Sequence, residues 1–368
     1  MVTRVALVHP YSWPNVRRGG ERYLHDLAWY LTSRGIDVDI VTGGEPGIEH
    51  TPDGRLVQLR QLRRLARGNI SPTDSFGASV LPWLLKHRYD VVHALTPTAA
   101  LAGVTTGHRT VYTVLGHPTA ASLSHRKHDA RLFRTTVRRV SAPLALSDSA
   151  ATNVAKLTGV RPRVVPPGVR VDEFPLRDEP RKGAPRVLFP ADAGDPRKCL
   201  DVLLAAFAIV LDQHPDAKLV LGGGGGTANA FATLPAAVES RVRAATDDIG
   251  SGDLADVPAR YAAGTVTVLP SIEEAFGLVL VESLATGTPV VATAEGGPAE
   301  IVDDDRIGRL AKPRDPSSLA EAINAVIDLA AEPGTPQACA EHARRWDWKQ
   351  SIGPLHESVY GSVARRWN

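Results

Sequence analysis

Short apolar runs alternate with amphipathic stretches along the whole chain, and this alternation constrains the fold most. Arg4-Val5-Ala6-Leu7-Val8, Val38-Asp39-Ile40-Val41, Val91-Val92-His93-Ala94 and Thr110-Val111-Tyr112-Thr113-Val114 read as buried strands. Between the first two, Tyr23, Leu24, Leu27, Ala28 and Leu31 recur at the helical period. The spacing predicts a helix from about Glu21 to Arg34, closed by Gly35. Strands separated by helices pair in parallel through crossovers, in sheets covered on both faces.

The pattern pauses and restarts. Residues 162–185 are rich in proline and include Pro166-Pro167-Gly168, which reads as a linker. A second series begins with Arg186-Val187-Leu188-Phe189. It continues with a helix from about Leu200 to Asp212 and the strand Lys218-Leu219-Val220-Leu221. The strands Val266-Thr267-Val268-Leu269 and Pro289-Val290-Val291-Ala292 flank a helix expected from about Phe276 to Thr286. Further helices fit Pro316 to Ala331 and Trp348 to Trp367. The 368 residues suit two domains, taken as 1–165 and 180–348, with the helix 349–368 packing back on the first. Charge divides the same way: residues 1–180 hold 24 Lys+Arg and 15 Asp+Glu, whereas residues 181–368 hold 18 and 25. The expected architecture is α/β: two Rossmann-like, doubly wound parallel-sheet domains with a cleft between them. Ligands would bind outside the C-terminal ends of the strands.

Composition excludes several classes. With 43% hydrophobic and 22% charged residues the chain is neither disordered nor membrane-embedded, and no apolar run is long enough to span a bilayer. A net charge of +2 excludes a histone-like or acidic-tail protein. The first strand follows Met1 with no basic region and long apolar core, so no secretory leader is expected and a cytoplasmic location is. Two cysteines, Cys199 and Cys339, exclude a disulfide framework and a structural zinc site, leaving two free thiols as the default.

The most informative segment runs from Leu269 to Ala292: a strand, a loop with carboxylates, a helix, a glycine stop and a second strand. Glu274 and Glu282 lie eight residues apart, at most about 12 Å along a helix axis. Backbone N–H groups near Ala275, Phe276 and Gly277 would form an anion site at a helix start, aided by the helix dipole. On the residues alone, an ordinary acidic first turn fits equally well.

The run Pro-Ser…Glu274-x7-Glu282, followed by Gly-Thr-Pro-Val-Val-Ala and by Glu295-Gly-Gly-Pro-Ala-Glu-Ile-Val302, resembles the retaining nucleotide-sugar glycosyltransferases of family four. The order of features is similar over nearly the whole chain. The resemblance implies the GT-B fold. It also implies that Glu274 holds hydroxyls of the donor sugar, that Glu282 accepts from the nucleotide ribose, and that the amides after Glu274 hold the diphosphate.

Other candidates follow. Gly19 and Gly20, after the first strand, let a loop approach a diphosphate, as the matching pair does in the resembled family. Arg197 and Lys198 precede a helix, where a cation opposes the dipole and is expected to face an anion. Lys198 matches the family lysine that holds the leaving diphosphate. Cys199 stands where the family has glycine, and the upstream family arginine is missing, so either Arg197 substitutes for it or the phosphate is held less strongly. Gly222, opening the run Gly222–Gly226, suits contact with a nucleotide or a mobile loop alike. His117, in Gly-His-Pro, is a candidate sugar contact, whereas His93 reads as structural. Pro167 and Arg170 depart from the family's Asn-Gly-Val-Asp segment.

Arg60, Arg63, Arg64 and Arg67 share one helical face, and Arg126, Lys127, Arg131, Arg134, Arg138 and Arg139 form a second basic run. Solvated faces explain both. They also leave peripheral membrane contact through the basic first domain open, while the lack of interleaved aromatics argues against nucleic acid. Asp303-Asp304-Asp305 reads as an exposed turn rather than a metal site.

The expectation is a retaining glycosyltransferase that uses a nucleoside diphosphate sugar and an acceptor hydroxyl, with no metal and no further cofactor. A nucleotide-sugar epimerase of the same architecture, or a non-catalytic nucleotide-sugar binding protein, is the alternative. A dinucleotide-dependent dehydrogenase is disfavoured, because the first strand lacks the Gly-x-Gly-x-x-Gly fingerprint.

Overall fold

The computed structural model describes residues 2–16, 18–60, 72–124, 128–177 and 179–365. In chain order the first half runs β1 (Arg4–Val8), α1 (Gly19–Ser33), β2 (Asp37–Gly43), β3 (Gly47–Thr51), β4 (Gly54–Leu59), α2 (Pro72–Lys86), β5 (Val91–Ala94), α3 (Pro97–Thr105), β6 (Thr110–Val114), α4 (Asp129–Arg139), β7 (Ala142–Ala145), α5 (Asp148–Thr158) and β8 (Arg163–Val164). The second half runs β9 (Arg186–Phe189), α6 (Leu200–Gln213), β10 (Lys218–Leu221), α7 (Ala228–Phe231), α8 (Ala236–Ala244), β11 (Thr246–Asp248), α9 (Val257–Ala263), β12 (Val266–Leu269), α10 (Leu278–Ala285), β13 (Val290–Thr293), α11 (Gly296–Ile301), β14 (Gly308–Ala311), α12 (Pro316–Ala330), α13 (Thr335–Ala343) and α14 (Gly353–Arg365).

The chain forms two compact units. Unit 1 is Met1–Gly168 with Trp348–Asn368, and unit 2 is Val169–Asp347. The sheet of unit 1 has the order β3-β4-β2-β1-β5-β6-β7-β8, parallel except for the β3–β4 hairpin. That of unit 2 has the order β11-β10-β9-β12-β13-β14 and is parallel throughout. In each, the winding reverses about a central pair, β1/β5 or β9/β12. Right-handed crossovers then place helices on opposite faces, and a crevice opens at the C-terminal ends of those two strands. The strands read as unbroken apolar runs because both faces are covered: Val5, Ala6 and Val8, and likewise Val266, Val268 and Val290, are fully buried.

The proline-rich stretch 162–185 is not a free linker. Arg163–Val164 adds the last strand to unit 1. Further on, Arg177 and Arg181 both donate to the carbonyls of Ala262 and Gly264, at 2.7–3.3 Å, fastening the segment to the end of α9. Its prolines set an extended path, and side-chain hydrogen bonds anchor that path.

The last helix completes unit 1 through a buried polar network. His93 on β5 shares hydrogen bonds with Tyr360 (2.7 Å) and Thr113 (2.7 Å). Tyr23 on α1 reaches Thr113 (3.4 Å) and His356 (3.2 Å). Burial, and then His356 beside His93 and Arg163 beside His356, keeps both histidines neutral: His93 titrates well below the ordinary range and His356 at about 3. An unfolded chain takes up those protons below about pH 6.5. Unit 1 therefore loses stability as pH falls from there.

A second polar cluster sits on the other face of the same sheet, one register step away: Asp39 lies level with Ala6 and Val92, His93 with Leu7. The fully buried Asp39 receives a fork from Arg55 (2.6 and 2.6 Å), a contact from Arg4 (3.3 Å) and the Tyr89 hydroxyl. Burial pushes the Asp39 carboxyl up, but the Arg55 and Tyr89 hydrogen bonds and the two cations more than offset it, and it titrates below its ordinary value. Asp39→Asn should destabilise the protein by about 3 kcal/mol at pH 7, the low end for breaking a buried pair, because both guanidiniums keep some water. The loss should shrink as pH drops through the carboxylate range, where the native protein forfeits the same contribution. Chemical denaturation of both proteins at pH 7 and in steps below pH 3.8 checks both.

Candidate functional site

In unit 2 the central strands β9 and β12 deliver two loops to the crevice. The loop after β9 turns through the 3-10 segment Pro196–Lys198, capped by the Asp195 carboxylate on the Arg197 N–H (3.0 Å). The loop after β12 carries Ser271 to Gly277. The Ile272 N–H donates to the Arg197 carbonyl at 2.9 Å, so the loops are fixed to one another. That bond brings Lys198 to Glu274, 76 residues away in sequence, and the Lys198 ammonium pairs with the Glu274 carboxylate. Both side chains keep about a fifth of their surface open. Arg197 is also engaged by an anion, but one of its own loop: it forks onto Asp195 (2.6 and 3.2 Å) with its side chain more than half exposed.

Cys199 explains why this position favours glycine in the resembled family. Its backbone is left-handed (φ 50°, ψ 48°), between the 3-10 turn and α6. Such a conformation is uncommon for a residue with a side chain.

Helix α10 begins at Leu278, not near Phe276 as expected. Gly277 has φ 99° and cannot be helical, so Ala275, Phe276 and Gly277 form the approach to the helix rather than its first turn. Ala275 and Phe276 are buried. Gly296 and Gly297, which open α11, lie against this approach: the Gly297 N–H donates to the Glu274 carbonyl (3.0 Å). A Cβ on Gly297 would meet Ala275 O and Phe276 Cα at 2.4 Å. Sequence reasoning used these glycines only as part of a resemblance and missed their task of backing the loop.

Glu282 is buried inside α10, 3% exposed, and accepts from the Tyr261 hydroxyl at 2.8 Å. Tyr261 was not singled out from the sequence, because nothing local marks it.

The glycines of the run 222–226 have different surroundings. The Gly222 N–H is spent on the Phe189 carbonyl (2.9 Å), and a Cβ there would meet Leu188 only at 3.5 Å. The glycines that the fold requires are Gly223, where a Cβ would lie 1.9 Å from Ala191 O, and Gly224 and Gly225, which have positive φ. They pack the loop after β10 onto the loop after β9.

Unit 1 holds the remaining candidates near the ends of β1 and β6. Gly19 and Gly20 start α1; space around Gly19 is open, while a Cβ on Gly20 would press on the Leu115 side chain. His117, after β6, hydrogen-bonds Ser149 (2.9 Å) and lies 3.3 Å from the Asn153 amide, both on α5. Arg17, Arg63, Arg64, Arg67, Arg126 and Lys127 lie outside the described residues. Within the second basic run, Arg134 and Arg138 donate to carbonyls at the end of α5 (3.3 and 2.9 Å), which accounts for two of its charges. Asp303, Asp304 and Asp305 each pair with a nearby arginine. Among the described residues no His, Cys, Asp and Glu group is placed to hold a metal ion, and no helix is long and apolar enough to cross a membrane.

Residues 17–173 match the family model Glycosyltransferase Family 4, and residues 173–346 match Glycosyl transferases group 1. With two parallel-sheet units carrying these two halves in order, the chain belongs to the GT-B glycosyltransferases. Among its relatives, it is 28% identical over 377 residues to the phosphatidyl-myo-inositol mannosyltransferase of Mycobacterium leprae, covering 98% of this chain and 97% of that one. It is 29% identical over 401 residues to the D-inositol 3-phosphate glycosyltransferase of Acidothermus cellulolyticus, covering 94% and 86%. Its fold is similar to sucrose-phosphate synthase of Thermosynechococcus elongatus (TM-score 0.82, 22% identity, 98% and 100% covered). It is also similar to the Anabaena protein HepE in complex with UDP and glucose (TM-score 0.76, 19% identity, 98% and 100% covered).

Glycine substitutions test how the loops are built. Gly297→Ala and Gly223→Ala should each cost about 1–3 kcal/mol, as overpacking against backbone does. Gly222→Ala and Gly226→Ala, with room for a methyl, should stay within about 0.5 kcal/mol of the parent. Equilibrium unfolding of the four variants would decide.

Proposed function

We propose that this glycosyltransferase moves a sugar from a nucleoside diphosphate sugar to an acceptor hydroxyl with retention of anomeric configuration. The observation that carries the reading is the Lys198–Glu274 pair, held on the loops that leave the two central strands of unit 2.

In the reaction, the bond between the anomeric carbon and the diphosphate oxygen breaks, and a bond to the acceptor oxygen forms on the same face. The acceptor proton passes to the departing phosphate. The obstacle is the charge that builds on the diphosphate. Lys198, with Arg197 released from Asp195 and the Ala275–Gly277 amides, is assigned to neutralise it; preorganised charges of this kind lower such barriers most effectively. The arriving diphosphate replaces the Glu274 carboxylate around the Lys198 ammonium, and the same exchange frees Glu274 for the sugar hydroxyls. Glu282 is assigned to the ribose hydroxyls. Gly222 adjoins the nucleotide through its loop, Gly19 and Gly20 approach the diphosphate, and His117 contacts the sugar. No metal and no cofactor beyond the donor is assigned.

Two relatives are named for inositol-bearing acceptors, a phosphatidyl-myo-inositol and a D-inositol 3-phosphate. A phosphorylated inositol is therefore the acceptor class to try first.

A thermal-shift panel of UDP, GDP, ADP, TDP and their sugar conjugates should give a clear shift with one base, unchanged by EDTA. Absence of any shift would remove the donor assignment. Lys198→Ala should lower kcat by about 10²–10³, comparable with losing one preorganised charge contact; a change under about threefold would take Lys198 out of the reaction. Glu282→Gln should act mainly on nucleotide affinity, measured by titration calorimetry.

A further inference from the structure

Glu282 is held by a second residue. A carboxylate this buried persists only where its charge is met by donors. The Tyr261 hydroxyl supplies one, at 2.8 Å to Oε2, and Tyr261 is as buried as Glu282. The position of that hydroxyl is in turn fixed by the short helix α9. The Thr288 hydroxyl donates to the Tyr261 carbonyl (2.9 Å). Arg177 and Arg181 grip the Ala262 and Gly264 carbonyls just beyond it. The residue before, Arg260, donates to the Gly250 carbonyl (2.7 Å) and reaches that of Gly222 (3.5 Å). Gly252 lies so close to its guanidinium that a Cβ would sit 1.8 Å away. Two adjacent residues of α9 thus hold the loops after β10 and β11 on one side and the α10 carboxylate on the other.

We propose that Tyr261 is a positioning residue for nucleotide recognition: its hydroxyl locks the Glu282 carboxylate in the orientation that accepts from the donor ribose. The inference rests on the ribose assignment of Glu282. Tyr261→Phe keeps the ring and its packing but removes this donor from the carboxylate. A tyrosine needed only for stability would alter melting, yet treat ribose and deoxyribose nucleotides alike.

The test is calorimetric titration of the full chain and of Tyr261→Phe with UDP and GDP and with their 2′,3′-dideoxy counterparts. The parent should prefer the ribose form of the nucleotide it binds by about tenfold, the factor set by one hydrogen bond to a charged group. In Tyr261→Phe that preference should fall to within about twofold, with dideoxynucleotide affinity unchanged. If the parent discriminates and the variant discriminates equally, the positioning role is overturned while the Glu282 assignment stands. If the parent shows no preference, the ribose assignment fails and this inference with it. Should Tyr261→Phe not fold, Thr288→Val, which keeps the tyrosine but frees the Tyr261 carbonyl from its side-chain donor, should lower the preference by severalfold; an unchanged ratio there overturns the proposal as well.

Discussion

One backbone hydrogen bond, from the Ile272 amide to the Arg197 carbonyl, joins the two loops on which the chemistry of unit 2 depends. Each loop leaves a central strand of a parallel sheet, and those strands are neighbours because the winding reverses between them. The sheet supplies proximity; the amide bond fixes the register of one loop on the other. Lys198 and Glu274 then face each other without either lying on an α-helix or a strand. Gly297 backs the second loop, and the Gly223–Gly225 stretch backs the first. The site is therefore two loops clamped between glycines that leave no room for a side chain, with charge only on the exposed side.

Opposed charges give the site a second property. Lys198 pairs with Glu274 and Arg197 with Asp195, so neither cation stands unpaired in water. Such partly exposed pairs contribute little stability. An incoming anion that brings more charge and better geometry can displace them at small cost.

Much of the fold was legible because parallel strands buried on both faces write themselves as apolar runs, and helices as apolar positions three and four apart. The stretch 162–185 was legible as the passage between the two units, which part at Gly168 and Val169, but proline says nothing about the side chains that fasten it; Arg177 and Arg181 do that through carbonyls 80 or more residues on. The start of α10 was misplaced because Gly277 was counted among the amides of the helix start, when its left-handed φ is what delays the helix. The same limit applies to Gly222: a run of glycines signals crowding, but which of them is crowded depends on the loop opposite. Glu274, Glu282 and Lys198 could be singled out by spacing and resemblance. Their partners could not, since Tyr261 meets Glu282 only through the packing of α9 on α10.

The path of the chain through the two units has a consequence for its synthesis. Unit 2 is one unbroken segment, Val169–Asp347, whereas unit 1 is closed by residues that follow it. At the crossing, Val169 bonds to the carbonyl of Trp346, and Gly168 packs on the Trp348 indole with no space for a Cβ. A ribosome therefore finishes unit 2 while unit 1, begun first, still lacks His356 and Tyr360 for its buried network. The half of the protein made first is the half completed last, and until the final helix emerges its Tyr23 and His93 wait without the partners that seal them from water.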